Sequence, residues 1–117
     1  MVAAIAELLL IREAAFAQSP KSIASSPPTA LLVAGKSLYV EKCQTCHGGQ
    51  GQGGDARLEK VLGAMPKALR SPEVQQKSDK ELAAAVRTGS GKMKPIAGLT
   101  SGEIRQIVAY VRTLRTP

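Results

Sequence analysis

Both cysteines of the chain and its only histidine lie within five residues, as Cys43, Cys46 and His47 in the stretch CQTCH. The residues that follow, GGQGQGGD, are rich in glycine, which leaves the backbone free to turn. On a helix, residues three apart share a face, so both thiols would point the same way. Any fold proposed for this chain must therefore place two thiols and an imidazole at one site.

Several familiar uses of such residues fit the chain poorly. A disulfide closing a four-residue loop stabilises little, and a structural zinc site needs four ligands, which three residues cannot supply. A thioredoxin-like redox pair requires a βαβ pattern, and no segment alternates convincingly with period 2. Cys46 and His47 are sequence neighbours, so on a helix their side chains diverge and form no nucleophile–base pair.

Covalent attachment of haem satisfies every part of the Cys-x-x-Cys-His motif. Cys43 and Cys46 can each add across one vinyl group of the same porphyrin, and His47 can bind its iron. The composition agrees, because aromatic residues make up only 3% of the chain and a domain of this size usually needs them for core volume. A bound apolar macrocycle would supply that volume.

The net charge of +7 indicates an acidic partner, an anionic surface or nucleic acid. The basic residues are scattered and aromatic residues that could stack on bases are nearly absent, which argues against nucleic acid. The charge therefore indicates a partner with an acidic surface or an anionic membrane surface.

Hydrophobic periodicity and capping signals predict an all-α protein with long loops. One helix is expected at about 36–46, and a second, of two turns, is expected to end at Gly63. Two further helices are expected to begin at capping boxes. The boxes pair Ser78 with Glu81 and Thr100 with Glu103. Gly89 should stop the penultimate helix. The apolar face of the last helix is formed by Ile104, Ile107, Val108, Val111 and Leu114.

Residues 35–115 resemble the small monohaem class I cytochromes c of the bacterial type. GKSLYVEKCQTCHGG matches the N-terminal helix of that family, and GEIRQIVAYVRTL resembles its C-terminal helix. The resemblance implies a cytochrome c fold of three to five helices wrapped around one covalently attached haem c, with the first and last helices crossing. The residues expected at the crossing are Gly35, Tyr39, Ile107 and Tyr110.

The candidates for the second axial ligand of the iron are Met65, Met93, a lysine and water. A thioether favours Fe(II) and so raises the reduction potential. The family takes its methionine from a Gly/Pro loop between the last two helices, and in this sequence Met93 lies in that loop. The resemblance therefore implies His47 and Met93 as the metal ligands. Met65 lies too early, before the penultimate helix, and is expected to be a gap-filling core residue.

Two features depart from the family pattern. Lys94 stands where a proline usually follows the ligand methionine, which would make the loop looser. The family histidine usually donates its ring N–H to the carbonyl of a proline about a dozen residues on, where this chain reads DARLEKV. Another carbonyl is expected to accept that hydrogen bond.

By the resemblance, the protein is an electron-transfer protein and not an enzyme. The alternatives are an electron-entry module or subunit of a larger dehydrogenase or oxidase complex, and an open-iron haem ligand binder with peroxidase-like activity. A monomer is expected, with redox partners that carry an acidic docking surface and at most peripheral contact with membrane complexes. Lys42, Lys92 and Lys94 are candidates for a positive collar that steers such a partner.

Residues 1–17 are apolar but carry Glu7, Arg12 and Glu13, so they are too short and too charged to span a membrane. Their AFA ending fits a signal-peptidase site, although the usual positive start is missing, and predicts export to the periplasm. An N-terminal amphipathic helix is the alternative. Residues 18–34, rich in Ser, Pro and Ala, are predicted to be a flexible leader, and residues 35–117 the monohaem cytochrome c domain.

Overall fold

A computed structural model describes residues 28–115 of the chain. These residues contain no strand, only an isolated bridge between Ser90 and Met93, so the predicted all-α class is confirmed. Six helical segments occur, two of them single turns, against the three to five predicted. They are α1 (Thr29–Lys42), α2 (Gln44–His47), α3 (Ala56–Leu62), α4 (Pro72–Gln75), α5 (Asp79–Thr88) and α6 (Ser101–Arg112).

The first helix differs from its predicted bounds at both ends. It begins at Thr29, directly after Pro28, so residues 29–34 are helical and do not belong to a flexible leader. Proline is well suited to that boundary, and the alanine and leucines that follow are good helix formers. The helix also breaks at Cys43, whose φ is −120°, before α2 resumes. The predicted export segment, residues 1–17, and leader residues 18–27 lie outside the described residues.

The other helix ends follow the local signals in the sequence. The side chain of Asp55 accepts a hydrogen bond from the Leu58 backbone N–H and starts α3, which ends at Gly63 with φ +81°. Both predicted capping boxes are present, at Ser78 for α5 and at Thr100 for α6. Local hydrogen bonds therefore set these boundaries without help from the rest of the fold.

Helices α1 and α6 cross in close contact at Gly35. A Cβ atom added there would overlap the carbonyl oxygen of Gln106 and lie 3.0 Å from the Cβ of Tyr110. One turn further along α1, the ring of Tyr39 is fully buried and its centroid lies 5.3 Å from that of Tyr110. The predicted crossing of the first and last helices is confirmed.

The core consists of two small clusters joined along α6. One contains Tyr39, Cys43, Ile107 and Val111, and the other contains Val86, Ile104 and Val108. Leu99 is half-buried and packs against both clusters. The predicted apolar face of the last helix thus forms most of the core, and Cys43 of the CQTCH motif belongs to it.

Candidate haem site

The break between α1 and α2 places the two thiols of the motif in different surroundings. Cys43 is buried against Tyr39 and Ile107, whereas Cys46 is half-buried. Both thiols are free. Burial raises the pKa of the Cys43 thiol to about 11, because a thiolate would lose its hydration there, and the nearby Cys46 adds to the effect. Both cysteines carry free thiols, as bonding of the two sulfurs to one shared group requires.

His47 has one ring nitrogen held by the backbone. Its Nδ1 lies 2.8 Å from the carbonyl oxygen of Lys67. A carbonyl oxygen only accepts, so Nδ1 carries the proton and donates it to this bond. In the neutral imidazole, this tautomer leaves Nε2 as the nitrogen that can bind a metal. The carbonyl that was expected to accept the hydrogen bond from the His47 ring N–H is thus that of Lys67, twenty residues along the chain.

The glycine-rich loop brings Lys67 back to His47. The backbone N–H of Gly54 donates to the Pro66 carbonyl at 3.0 Å, and the N–H of Arg70 donates to the Gly51 carbonyl at 3.1 Å. A Cβ on Gly54 would lie 2.5 Å from the Pro66 ring, so glycine is required for this approach. No local signal identifies Lys67, because its role depends on the chain folding back over the whole of α3.

Tyr39 ties α1 to the segment behind His47. Its hydroxyl donates a hydrogen bond of 2.6 Å to the carbonyl oxygen of Gly48, the residue after His47. Burial raises the pKa of this hydroxyl to about 12, because the phenolate would lose its hydration, and the charges of Cys43 and Tyr110 add to the shift. The buried ring and its hydrogen bond therefore hold α1 and the CQTCH segment in register.

We expect the stability of the protein to fall with rising pH in a window set by Tyr39. An unfolded tyrosine has a pKa of about 10, so the folded state favours the protonated hydroxyl. That contribution is complete below about pH 10 and is lost as the pH rises through about 12. Urea unfolding from pH 9 to 12 should show the fall, and Tyr39→Phe should show a smaller one. An equal fall in the variant would contradict this assignment.

Met93 lies in a tight turn before α6. The backbone N–H of Ser90 donates to the Met93 carbonyl at 2.9 Å, and the N–H of Met93 donates to the Ser90 carbonyl at 2.8 Å. Gly89, with φ +88°, lies so close that a Cβ there would be 2.7 Å from the Met93 carbonyl oxygen. The Met93 side chain is half-buried, whereas that of Met65 is exposed, so the expectation that Met65 fills a gap in the core is wrong. The turn thus holds the backbone of Met93 in one place.

The turn that carries Met93 also lies beside the end of α3. The Nζ of Lys92 lies 3.9 Å from a Cβ built on Gly63. A cavity of about 290 Å³ lies between α3 and Thr45, which stands between the two cysteines. Asp55, Arg57, Leu58 and Val61 complete its lining, and none of the four predicted site residues is among them. Helix α3 therefore lies close to both segments that carry those residues.

A bare metal ion has no ready-made site in the described residues. They contain no group of three or more His, Cys, Asp or Glu side chains able to hold a metal. What they do contain is one imidazole with a free Nε2 next to two unpaired thiols, beside a core of only eight buried hydrophobic residues. This donor set and the small core fit a macrocycle that brings its own metal and is bonded to the protein.

The fold and this donor set define a c-type cytochrome domain. The chain belongs to the family described as "Cytochrome C oxidase, cbb3-type, subunit III", whose profile matches residues 30–111. As in other cytochrome c domains, the cofactor is a covalently bound haem c, and its iron transfers electrons. The resemblance to small monohaem cytochromes c is thereby confirmed.

Two solved structures show the same architecture. The KustC0563 c-type cytochrome is 30% identical, with a TM-score of 0.58 over 70% of this chain and 98% of its own. Cytochrome cL from Hyphomicrobium denitrificans is 23% identical, with a TM-score of 0.56 over 73% of this chain and 48% of its own. No curated protein sequence matches the chain. Within residues 28–115, no helix is long and apolar enough to cross a membrane.

Proposed function

We propose that the protein is a periplasmic electron carrier and not an enzyme. When bound, haem c would supply the Fe(III)/Fe(II) couple, with Cys43 and Cys46 as its attachment residues and His47 and Met93 as the axial ligands of its iron. The observation that carries this proposal is the 2.8 Å contact between His47 Nδ1 and the Lys67 carbonyl. It leaves the imidazole in the tautomer that a metal ligand needs.

The two cysteines would anchor the cofactor to the crossing of α1 and α6. Cys43 belongs to the buried cluster with Tyr39 and Ile107, so a bond to its sulfur would hold the cofactor against the core. Cys46 lies one turn further on and is more exposed, which suits a second bond at the edge of the same group.

His47 and Met93 would contribute different properties to the site. The hydrogen bond to the Lys67 carbonyl fixes the plane of the His47 ring and raises its basicity. The thioether of Met93 is a soft donor and favours the reduced iron. Lys94 replaces the proline expected after Met93, and the next residue, Pro95, packs close to Gly89, with its Cδ 3.0 Å from a Cβ built there.

The ligand assignment is tested with Met93→Ala and the matched variant Met65→Ala in the mature, haem-containing protein. We expect the oxidised wild type to be low-spin with a weak near-infrared band from Met–Fe(III) coordination. Met93→Ala should lose the band and Met65→Ala should keep it, because Met65 is exposed. A band that survives in Met93→Ala but not in Met65→Ala would move the ligand to Met65. A high-spin wild type would favour the open-iron ligand binder.

A second candidate function is an electron-entry module of a larger oxidase complex. The observation that favours it is the description of the matching family, which names a subunit of a cytochrome c oxidase. The observation that favours the single carrier is that the chain covers 98% of the KustC0563 cytochrome. Purification of the native protein distinguishes the two, since a module would elute with oxidase subunits and a carrier alone.

The proposed location rests on residues 1–17, which resemble an export segment. The proposed partner is a redox protein with an acidic surface, in keeping with the net charge of +7. Of the collar residues, Lys42 lies 3.8 Å from Glu41, which partly neutralises it. Lys92 and Lys94 flank Met93 and are both exposed, so they are the better candidates for steering.

A further inference from the structure

Helix α3 exposes an unusual amount of apolar surface at its C-terminal end. Val61 is 79% exposed, and Leu62 and Met65 are 44% and 43% exposed. Leu58 precedes Val61 and Leu62 by three and four residues and is half-buried at the cavity. We call Leu58, Val61, Leu62 and Met65 the α3 patch. Apolar surface grouped in this way, within a short segment, is typical of interaction sites.

We propose that the α3 patch docks an electron-transfer protein whose contact surface has an apolar centre and an acidic rim. This inference rests on the proposed function and adds the place where the partner binds. Apolar contacts at the centre of an interface supply affinity, whereas charges at the rim supply orientation and association rate.

The charges beside the patch favour an acidic partner. Arg57 precedes Val61 by one helical turn, and Lys92 lies beside Gly63 at the other end of the helix. Within residues 28–115, neither side chain has a carboxylate within ion-pair distance. Asp55 instead caps α3. A second copy of this chain is disfavoured, because a two-fold interface would bring these cations and the net charge of +7 together.

The position of the patch suits electron transfer. The cavity is lined by α3 and by Thr45, which stands between Cys43 and Cys46, and Lys92 directly precedes Met93. The patch therefore adjoins both segments to which the proposed function assigns the cofactor. A partner bound there would lie next to the redox centre.

The test uses mature haem-containing protein and reduced flavodoxin, an acidic electron-transfer protein, as the probe. The variants are Val61→Ser/Leu62→Ser and, for the rim, Arg57→Glu. The matched controls lie on α1: Val33→Ser/Val40→Ser removes two other exposed valines, 61% and 47% exposed, and Lys36→Glu makes the same change of charge. Stopped-flow reduction at low ionic strength and amide shifts of the labelled cytochrome on titration with flavodoxin are measured.

We expect each patch variant to lower the second-order rate constant by about fivefold or more, and each control by less than about twofold. The amide shifts should centre on residues 57–65. Patch variants that react like the controls, or shifts centred elsewhere, would overturn the proposal. Contacts between the Val61 or Leu62 methyls and the haem would also overturn it, because they would show that the cofactor covers the patch. So would concentration-dependent dimers of the wild type that the patch variants do not form.

Failure of the docking site is distinguishable from failure of the proposed function. A reversible Fe(III)/Fe(II) couple measured by spectroelectrochemistry tests electron transfer without any partner. If the wild type shows that couple and the patch variants are reduced as fast as the controls, the docking site alone is refuted. A wild type without that couple would refute the proposed function, while the amide shifts would still report where flavodoxin binds.

Discussion

Replacing both cysteines, as Cys43→Ser/Cys46→Ser, should abolish covalent attachment of haem and leave a largely unfolded chain. Serine hydroxyls do not form the thioether bonds that the motif is expected to make. Residues 28–115 bury only eight hydrophobic side chains, among them Cys43 itself. So small a core cannot offset the conformational entropy lost on folding, because small domains depend heavily on added crosslinks or cofactors.

The measurement is the protein mass after extraction with acidified acetone, together with far-ultraviolet circular dichroism. The wild type should retain the mass of one haem and its helical signal, and the double variant should lose both. Each single variant keeps one attachment residue and serves as a control. Cys43→Ser should destabilise more than Cys46→Ser, because Cys43 is the buried member of the pair. Haem mass retained by the double variant would refute attachment through these residues.

Replacing Gly35 with alanine should destabilise the fold by about 3 kcal/mol, since the added methyl group overpacks the helix crossing. The new Cβ would overlap the carbonyl oxygen of Gln106 and lie 2.8 Å from its carbon. Both atoms belong to the backbone of α6, so no side-chain rotation relieves the overlap and the two helices must separate. Separation would also loosen the contact between Tyr39 and Tyr110, whose ring centroids lie 5.3 Å apart.

Thermal unfolding of the mature protein measures this effect, and Gly102→Ala is the matched control. A Cβ at Gly102 would meet only side-chain atoms at 3.8 and 3.9 Å, so alanine fits there and favours the helix. Gly35→Ala should lower the melting temperature by more than about 10 °C, whereas Gly102→Ala should leave it unchanged or raise it. Equal melting temperatures for Gly35→Ala and the wild type would show that the crossing tolerates a methyl group.

The predictions made from the residues alone and confirmed by the structure concern features set by residues within a few helical turns. The capping boxes at Ser78 and Thr100 are complete in the structure, because each needs only residues within one turn. The apolar face of α6 was readable from its spacing, and Ile104, Ile107 and Val108 are indeed buried. The crossing at Gly35 came from the resemblance, and the structure supplies its physical reason in the closeness of the Gln106 carbonyl.

The predicted start of the first helix, at about residue 36, was wrong, because composition misled where packing decided. The Ser, Pro and Ala content of residues 18–34 indicated a leader, but Thr29 and its neighbours continue a helix that packs along α6. The break at Cys43 also had no signal, because neither glycine nor proline occurs there. The ligand role of Met93 stays a prediction, supported by the turn that holds its backbone.

The sequence by itself determined which chemistry is proposed for this protein, because the spacing of Cys43, Cys46 and His47 alone predicts covalent haem attachment. Only the tertiary structure decided how that chemistry is supported. The carbonyl of Lys67 reaches His47 after the chain has passed through a glycine-rich loop and all of α3, and the Tyr39 hydroxyl reaches Gly48 across the end of α1. Such contacts depend on where the backbone returns, which no short stretch of sequence encodes.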